Sequence, residues 1–123
     1  MTKRLPANEK WAYWRDKCDE VFRRKAKERD GWRCVETGAR ENLQTAHIVL
    51  ACYMNTRWDF DNVVTLKSGR HIFYTQHPIE WKLFINRLKG PGYYEKMEDR
   101  AMIAKKWSGE DLKELYNKWT TNR

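Results

Sequence analysis

Residues Arg29–Val49 read RDGWRCVETGARENLQTAHIV, and the fold turns on how this stretch is taken. Cys34 opens a turn-like run, and the position that would close a Cys-x-x-Cys pair holds Thr37. The stretch is therefore either a metal knuckle without its ligands or an ordinary turn, and its flanks have to decide. On its C-terminal side LQTAHIV has the β-branched flavour of a short strand. On its N-terminal side the chain is helical up to Gly31.

That upstream segment, NEKWAYWRDKCDEVFRRKAKERDG, places Trp11, Trp14, Cys18, Val21 and Phe22 at helical spacing. Asn8 is suited to cap the helix and Gly31 to end it. Downstream, MNTRWDFDNVVTL reads as an Asn/Asp-rich loop running into a short extended segment, and KSGRHIFYTQ as a turn and helix start. HPIEWKLFINRLKG is a helix with Pro78 in its first turn and Gly90 at its end. GYYEKMEDRAMIAKKW reads as a second. SGEDLKELYNKW reads as a third, with Ser108 as cap and Asp111 at the capping-box position. The expectation is one α+β, mostly helical domain over 1–123. It has an N-terminal helix over about 8–30, a core with a small β element over about 31–77 and C-terminal helices over about 78–120.

The chain has 123 residues, with 25 Lys+Arg against 17 Asp+Glu, a formal net charge of +8. That balance favours a polyanionic partner, nucleic acid first. The seven Trp, six Tyr and four Phe can fill a small core. Cys18, Cys34 and Cys52 form no Cys-x-x-Cys pair and are odd in number, which argues against a disulfide framework. MTKRLPANEK has no apolar run and reads as no signal peptide. AHIVLACYM is too short to cross a bilayer. A cytoplasmic location and no membrane partner are expected.

Three polar residues stand out in the central irregular region: His47 at a strand, Asn62 in the loop and His71 before a helix. Singly they are weak signals, since an isolated His is more often structural and an Asn in DFDN is usually a turn former. Together with RDGWRC, LQTAHI, TRWDFDN and LKSGRH in that order, the region resembles the HNH family of nucleases, which use the ββα-metal fold. The tail, with HPIEW, Gly90 and YYEKMEDRA, resembles a phage-associated subgroup. The resemblance spans residues Phe22 to Ala101.

What the resemblance implies is hydrolysis of DNA phosphodiester bonds assisted by a divalent ion such as Mg²⁺, Mn²⁺ or Ni²⁺. His47 is then the general base, a role that suits a group titrating near neutral pH. Asn62 pins the loop that orients His47, because its amide both donates and accepts. His71 is a metal ligand. Many family members carry Asp or His immediately before the base as a further ligand; here that position is Ala46. Asp59 and His77 are the candidates to supplement the site, each set against a plainer reading as a turn cap and a helix-start residue.

Zinc-bearing relatives place two Cys-x-x-Cys pairs around this core. Here the four positions hold Cys34, Thr37, Lys67 and Arg70, and tetrahedral zinc needs four donors. No structural zinc is expected. Structural zinc contributes about 10–16 kcal/mol in small fingers, so something must replace it; Trp32, Trp58, Phe73 and the flanking helices are the expected substitutes. Lys67 and Arg70 are either phosphate contacts or exposed turn residues. Arg57 either contacts the scissile phosphate or pins Asp59. The cluster of Arg23, Arg24, Lys25 and Lys27 is either a solvated helix face or a phosphate-binding one. Beside the nuclease reading stand a basic DNA-binding module that has lost cleavage and a branched-DNA or recombination accessory protein that either cuts junctions or only holds them.

Overall fold

The computed structural model describes residues 7–121; the first six, on which part of the signal-peptide reading rests, lie outside the described residues. The elements are α1 (Ala7–Arg29), β1 (Leu43–His47), β2 (Val63–Lys67), α2 (Ser68–Gln76), α3 (Pro78–Lys89), α4 (Tyr93–Ala101) and α5 (Gly109–Thr120). The class is α+β and mostly helical, as expected. The strands pair antiparallel, with Leu43 opposite Lys67 and His47 opposite Val63, and α2 follows β2 without a connecting loop. Among the described residues no helix is long and apolar enough to cross a membrane.

Helix α1 forms because Cys18, Val21, Phe22 and Ala26 recur on one side and are buried. It is already formed at Ala7, so Asn8 lies within it rather than at its boundary; the Asn8 side chain is outside the described residues. The helix stops where Gly31 takes φ 71°. There the Trp32 N–H reaches back to the Lys27 carbonyl at 2.9 Å. The charged residues of RDG, at the end of the helix, bind the sheet. Arg29 donates to the carbonyls of Phe60 and Val63 at 2.5 and 2.8 Å. The Asp30 carboxylate accepts from the Thr65 N–H at 3.0 Å, and the Val35 N–H donates to the Thr65 carbonyl at 2.9 Å. The outer edge of β2 is thus satisfied by the end of α1 and the turn after it, which stops a two-stranded sheet from exposing a raw edge.

Alternation along the strands divides the core into two clusters. Ala46, Val64 and Leu66 pack with Trp81, Phe84, Ile85 and Met97 of the C-terminal helices. Val63 instead packs with Cys18, Phe22, Trp58 and Leu112, joining α1, the 48–62 loop and α5. The Ser108–Asp111 capping box forms, with both bonds at 3.0 Å. A further boundary differs: the helix read over GYYEKMEDRAMIAKKW ends at Ala101. Met102 and Ile103 are 62% and 60% exposed, so no buried face carries the helix onward.

Candidate functional site

The stretch after Gly31 folds as a knuckle-shaped turn. The Cys34 N–H donates to Ala39 at 2.8 Å, the Gly38 N–H to Cys34 at 2.9 Å, and the Thr37 N–H points at Cys34 Sγ at 3.4 Å. Cys34 is buried, as expected of a small apolar side chain. Burial pushes its thiol pKa up, but donors from Thr37, Lys67 and Glu36 around the sulfur outweigh it and bring the pKa below its ordinary value.

The fourth position of the zinc-bearing pattern, Arg70, is taken up by an ion pair. Arg70 grips Glu36 at 2.6 and 3.2 Å, and the Tyr74 hydroxyl donates to Glu36 at 2.6 Å. The guanidinium also lies over the rings of Phe73 and Tyr74, at 4.5 and 5.1 Å from their centroids. Burial raises the Glu36 pKa, yet the bonds from Arg70 and Tyr74 hold the carboxyl below its ordinary value. Two expectations are corrected here. Arg70 is committed to Glu36 and is not a free phosphate contact. Trp32 does not replace zinc, because it is 46% exposed in a left-handed turn. Nor does Trp58, which belongs to the cluster on the other side of the sheet. Of the aromatic substitutes, Phe73 alone packs here.

His47 ends β1. Its Nε2 lies 2.9 Å from the Arg57 carbonyl. A carbonyl can only accept, so the proton sits on Nε2 and Nδ1 carries the lone pair. The ring stacks on Phe22, centroids 5.9 Å apart. Burial holds its pKa below the ordinary 6.5; the neighbouring Arg57 and Arg23 charges add to this, while the Arg57 carbonyl and Asp19 oppose it. The imidazole is therefore neutral at physiological pH.

Asn62 is fully buried. Its Nδ2 donates to the carbonyls of Val49 and Thr56 at 3.0 and 3.1 Å. Its Oδ1 accepts from the Val49 N–H at 2.9 Å, and its own carbonyl accepts from the Ile48 N–H at 2.7 Å. One side chain thus ties both ends of the 48–62 loop, the loop that carries the Arg57 carbonyl. The Arg57 side chain does something else. It is clamped on Asp19 at 2.6 and 3.2 Å, with Trp58 Nε1 donating to the same carboxylate at 2.8 Å. Arg57 therefore neither stands free for phosphate nor pins Asp59.

His71 sits in the first turns of α2, and its Nδ1 lies 2.7 Å from Gln44 Oε1. With Gln44 accepting, Nε2 is the unprotonated nitrogen. Burial lowers its pKa too. His47 and His71 line one open cleft of about 760 Å³, together with Thr45, Thr75, Tyr53, Trp81, Tyr94, Glu98, Asp99 and Met102 among others.

The divalent ion implied by the resemblance fits poorly with these donors. Ala46 is buried and has none. Asp59 is held by Arg100 at 2.6 Å and caps the turn at Asp61. His77 donates from Nδ1 to the Phe73 carbonyl at 2.7 Å and stacks on the Phe73 ring at 4.1 Å. Neither lines the cleft. Among the described residues no group of three or more His, Cys, Asp or Glu is arranged to hold a metal. Asp59 and His77 thus take the plainer of the two roles weighed for each, turn cap and helix-start residue.

Of the other basic candidates, Arg23 and Arg24 are exposed, Lys25 and Lys27 half-buried and Lys67 exposed. Arg24 is 3.8 Å from Glu28. Arg23 lies near enough to His47 to depress its pKa. Sequence reasoning missed Asp19, Gln44 and Phe22. Asp19 sits 38 positions from Arg57 and Gln44 27 from His71, beyond any local spacing rule. Compared with known protein families, curated proteins and solved structures, the chain matches none.

Proposed function

We propose that the chain hydrolyses phosphodiester bonds in DNA, with His47 as general base in a site of the HNH type on a ββα-metal-like core formed by β1, β2 and α2. The observation that carries this reading is the fixed tautomer of His47. Its Nε2–H is spent on the Arg57 carbonyl, and Asn62 pins the loop that holds that carbonyl. His77 also donates one ring N–H to a main-chain carbonyl; what sets His47 apart is that it lines the cleft shared with His71.

DNA approaches over Arg23, Lys27 and Lys67. A water held at His47 Nδ1 loses its proton to that nitrogen as its oxygen attacks phosphorus and the bond to the leaving 3′ oxygen breaks, that oxygen taking up a proton from solvent. The imidazolium that forms is stabilised through Nε2–H by the Arg57 carbonyl dipole. His71 presents a second lone pair in the same cleft, at Nε2, able to hold the attacking water in place. A second reading, a DNA-binding module that does not cut, is favoured by Ala46 and the thin donor set. Plasmid incubated with the protein under EDTA, Mg²⁺, Mn²⁺ and Ni²⁺ in turn separates the two: cleavage in any arm supports the first reading, and none in every arm the second.

Both readings expect salt-sensitive binding to duplex DNA with little sequence preference. Each phosphate neutralised steepens the log–log salt slope by about 0.9. Arg23→Ala and Lys67→Ala are each expected to weaken binding evenly across sequences and to flatten that slope by about one contact. Arg70→Ala is expected to leave the slope unchanged, because its charge is already taken by Glu36. Fluorescence anisotropy at several salt concentrations checks this.

A further inference from the structure

The cleft that holds His47 and His71 has a chemistry a phosphate alone does not explain. Thr45, His47, His71 and Thr75 come from β1 and α2, while Tyr94, Glu98, Asp99 and Met102 come from α4 and its C-terminal end. The ion pairs of α4 are made by Glu95 and Arg100, which leaves Glu98 and Asp99, both exposed, as open carboxylates. Carboxylates repel a phosphate, but they accept hydrogen bonds from the amino and ring N–H groups of a nucleobase. The same cleft is also lined by apolar and aromatic side chains. Leu50 and Met102 are 68% and 62% exposed, and Tyr53 37%, an amount of uncovered apolar surface that a flat aromatic ligand would bury. At about 760 Å³ the cleft is in the size range of small-ligand sites. A paired base inside a duplex cannot enter a concavity of this kind; a base outside the stack can.

Building on the hydrolytic reading, we propose that the cleft takes one unpaired nucleotide of a DNA strand. Its base lies against Tyr53, Tyr94 and Met102 with its N–H groups toward Glu98 and Asp99, and its phosphate lies at His47 and His71. The preferred substrate is then DNA with a locally unpaired nucleotide, at a bulge, flap or branch, rather than continuous duplex.

The test is equilibrium binding in EDTA, so that cutting plays no part. One short duplex carries a single unpaired 2-aminopurine and the other carries the same base paired with thymine. The expected result is about tenfold tighter binding of the bulged duplex, in line with the stacking of one base on an aromatic side chain, with 2-aminopurine emission quenched on binding. In Tyr53→Ala, and separately in the double variant Glu98→Gln with Asp99→Asn, the ratio of bulged to paired affinity is expected to fall toward one. Melting curves establish that each variant is folded, and the exposed carboxylates make the second variant independent of any packing loss in the first. Equal affinities for the two duplexes in wild type, unquenched emission, or a ratio that survives in both variants would overturn the proposal. The hydrolytic reading fails separately, by absent cleavage with the affinity ratio intact.

Discussion

His47→Ala is expected to lower plasmid cleavage about 10²–10⁴-fold, the usual contribution of a general base, a loss far larger than the accompanying changes in DNA affinity and melting temperature. The expectation rests on where the side chain sits. Among the described residues Nδ1 has no hydrogen-bond partner, and the role proposed for it is confined to taking the water proton, so its loss would appear in the chemical step. The Nε2–H bond to Arg57 is a single half-buried bond, and its loss costs about 1 kcal/mol. His47→Gln is a useful companion, since its amide can donate to the Arg57 carbonyl but cannot take a proton. Cleavage by His47→Ala at the wild-type rate removes His47 from the chemistry.

Asn62→Ala is expected to have the largest effect on stability. The variant leaves the Val49 N–H and the carbonyls of Val49 and Thr56 without their partner in a fully buried position. Buried polar groups left unpaired cost about 1–3 kcal/mol each. Partial relaxation brings the total to about 3–4 kcal/mol, at the severe end for a single substitution. Thermal melting is expected to fall by roughly 10 °C or more. Cleavage is expected to fall with it, because the loop that presents the Arg57 carbonyl loosens. Asn62→Asp separates shape from hydrogen bonding: it keeps the acceptor for the Val49 N–H and sets a carboxylate oxygen against two carbonyls, so it too is expected to be unstable.

Much of the fold is legible in the sequence because its signals are local. Cys18, Val21, Phe22 and Ala26 mark the buried side of α1 by spacing alone. Pro78, Gly90 and the Ser108–Asp111 box mark helix ends through backbone chemistry that depends on a few neighbouring residues. The end of α4 is not legible, because MEDRAMIAKKW keeps good helix formers past Ala101 and only the absence of a packing partner stops it. At the candidate site, the loop-pinning role that the resemblance gives Asn62 agrees with its bonds to both ends of the 48–62 loop. What fixes the chemistry of the site is not legible. The tautomer of His47 depends on a main-chain carbonyl, and every residue type has one. The commitments of Arg57 to Asp19 and of Arg70 to Glu36 join residues 38 and 34 positions apart. The sequence shows a cation in each case and not that its charge is already spent. The same limit applies to Asp59 and His77, whose types suit a metal but whose neighbours claim them first.

The low pKa of His47 ties the site to acidity. Burial lowers it from 6.5, so the unfolded chain binds this proton more readily than the folded one. The stability it contributes is complete above about pH 6.5 and is lost as pH falls toward the folded value. Any acid limb of a cleavage–pH profile due to this base lies in the same region.

The most direct measurement of the central claim is a ¹⁵N NMR titration of the His47 imidazole in the DNA-free protein. The geometry predicts a neutral ring protonated at Nε2, with Nδ1 bare, and a midpoint below 6.5. A ring protonated at Nδ1, or one that titrates above 6.5, would contradict a free base held in place by the Arg57 carbonyl.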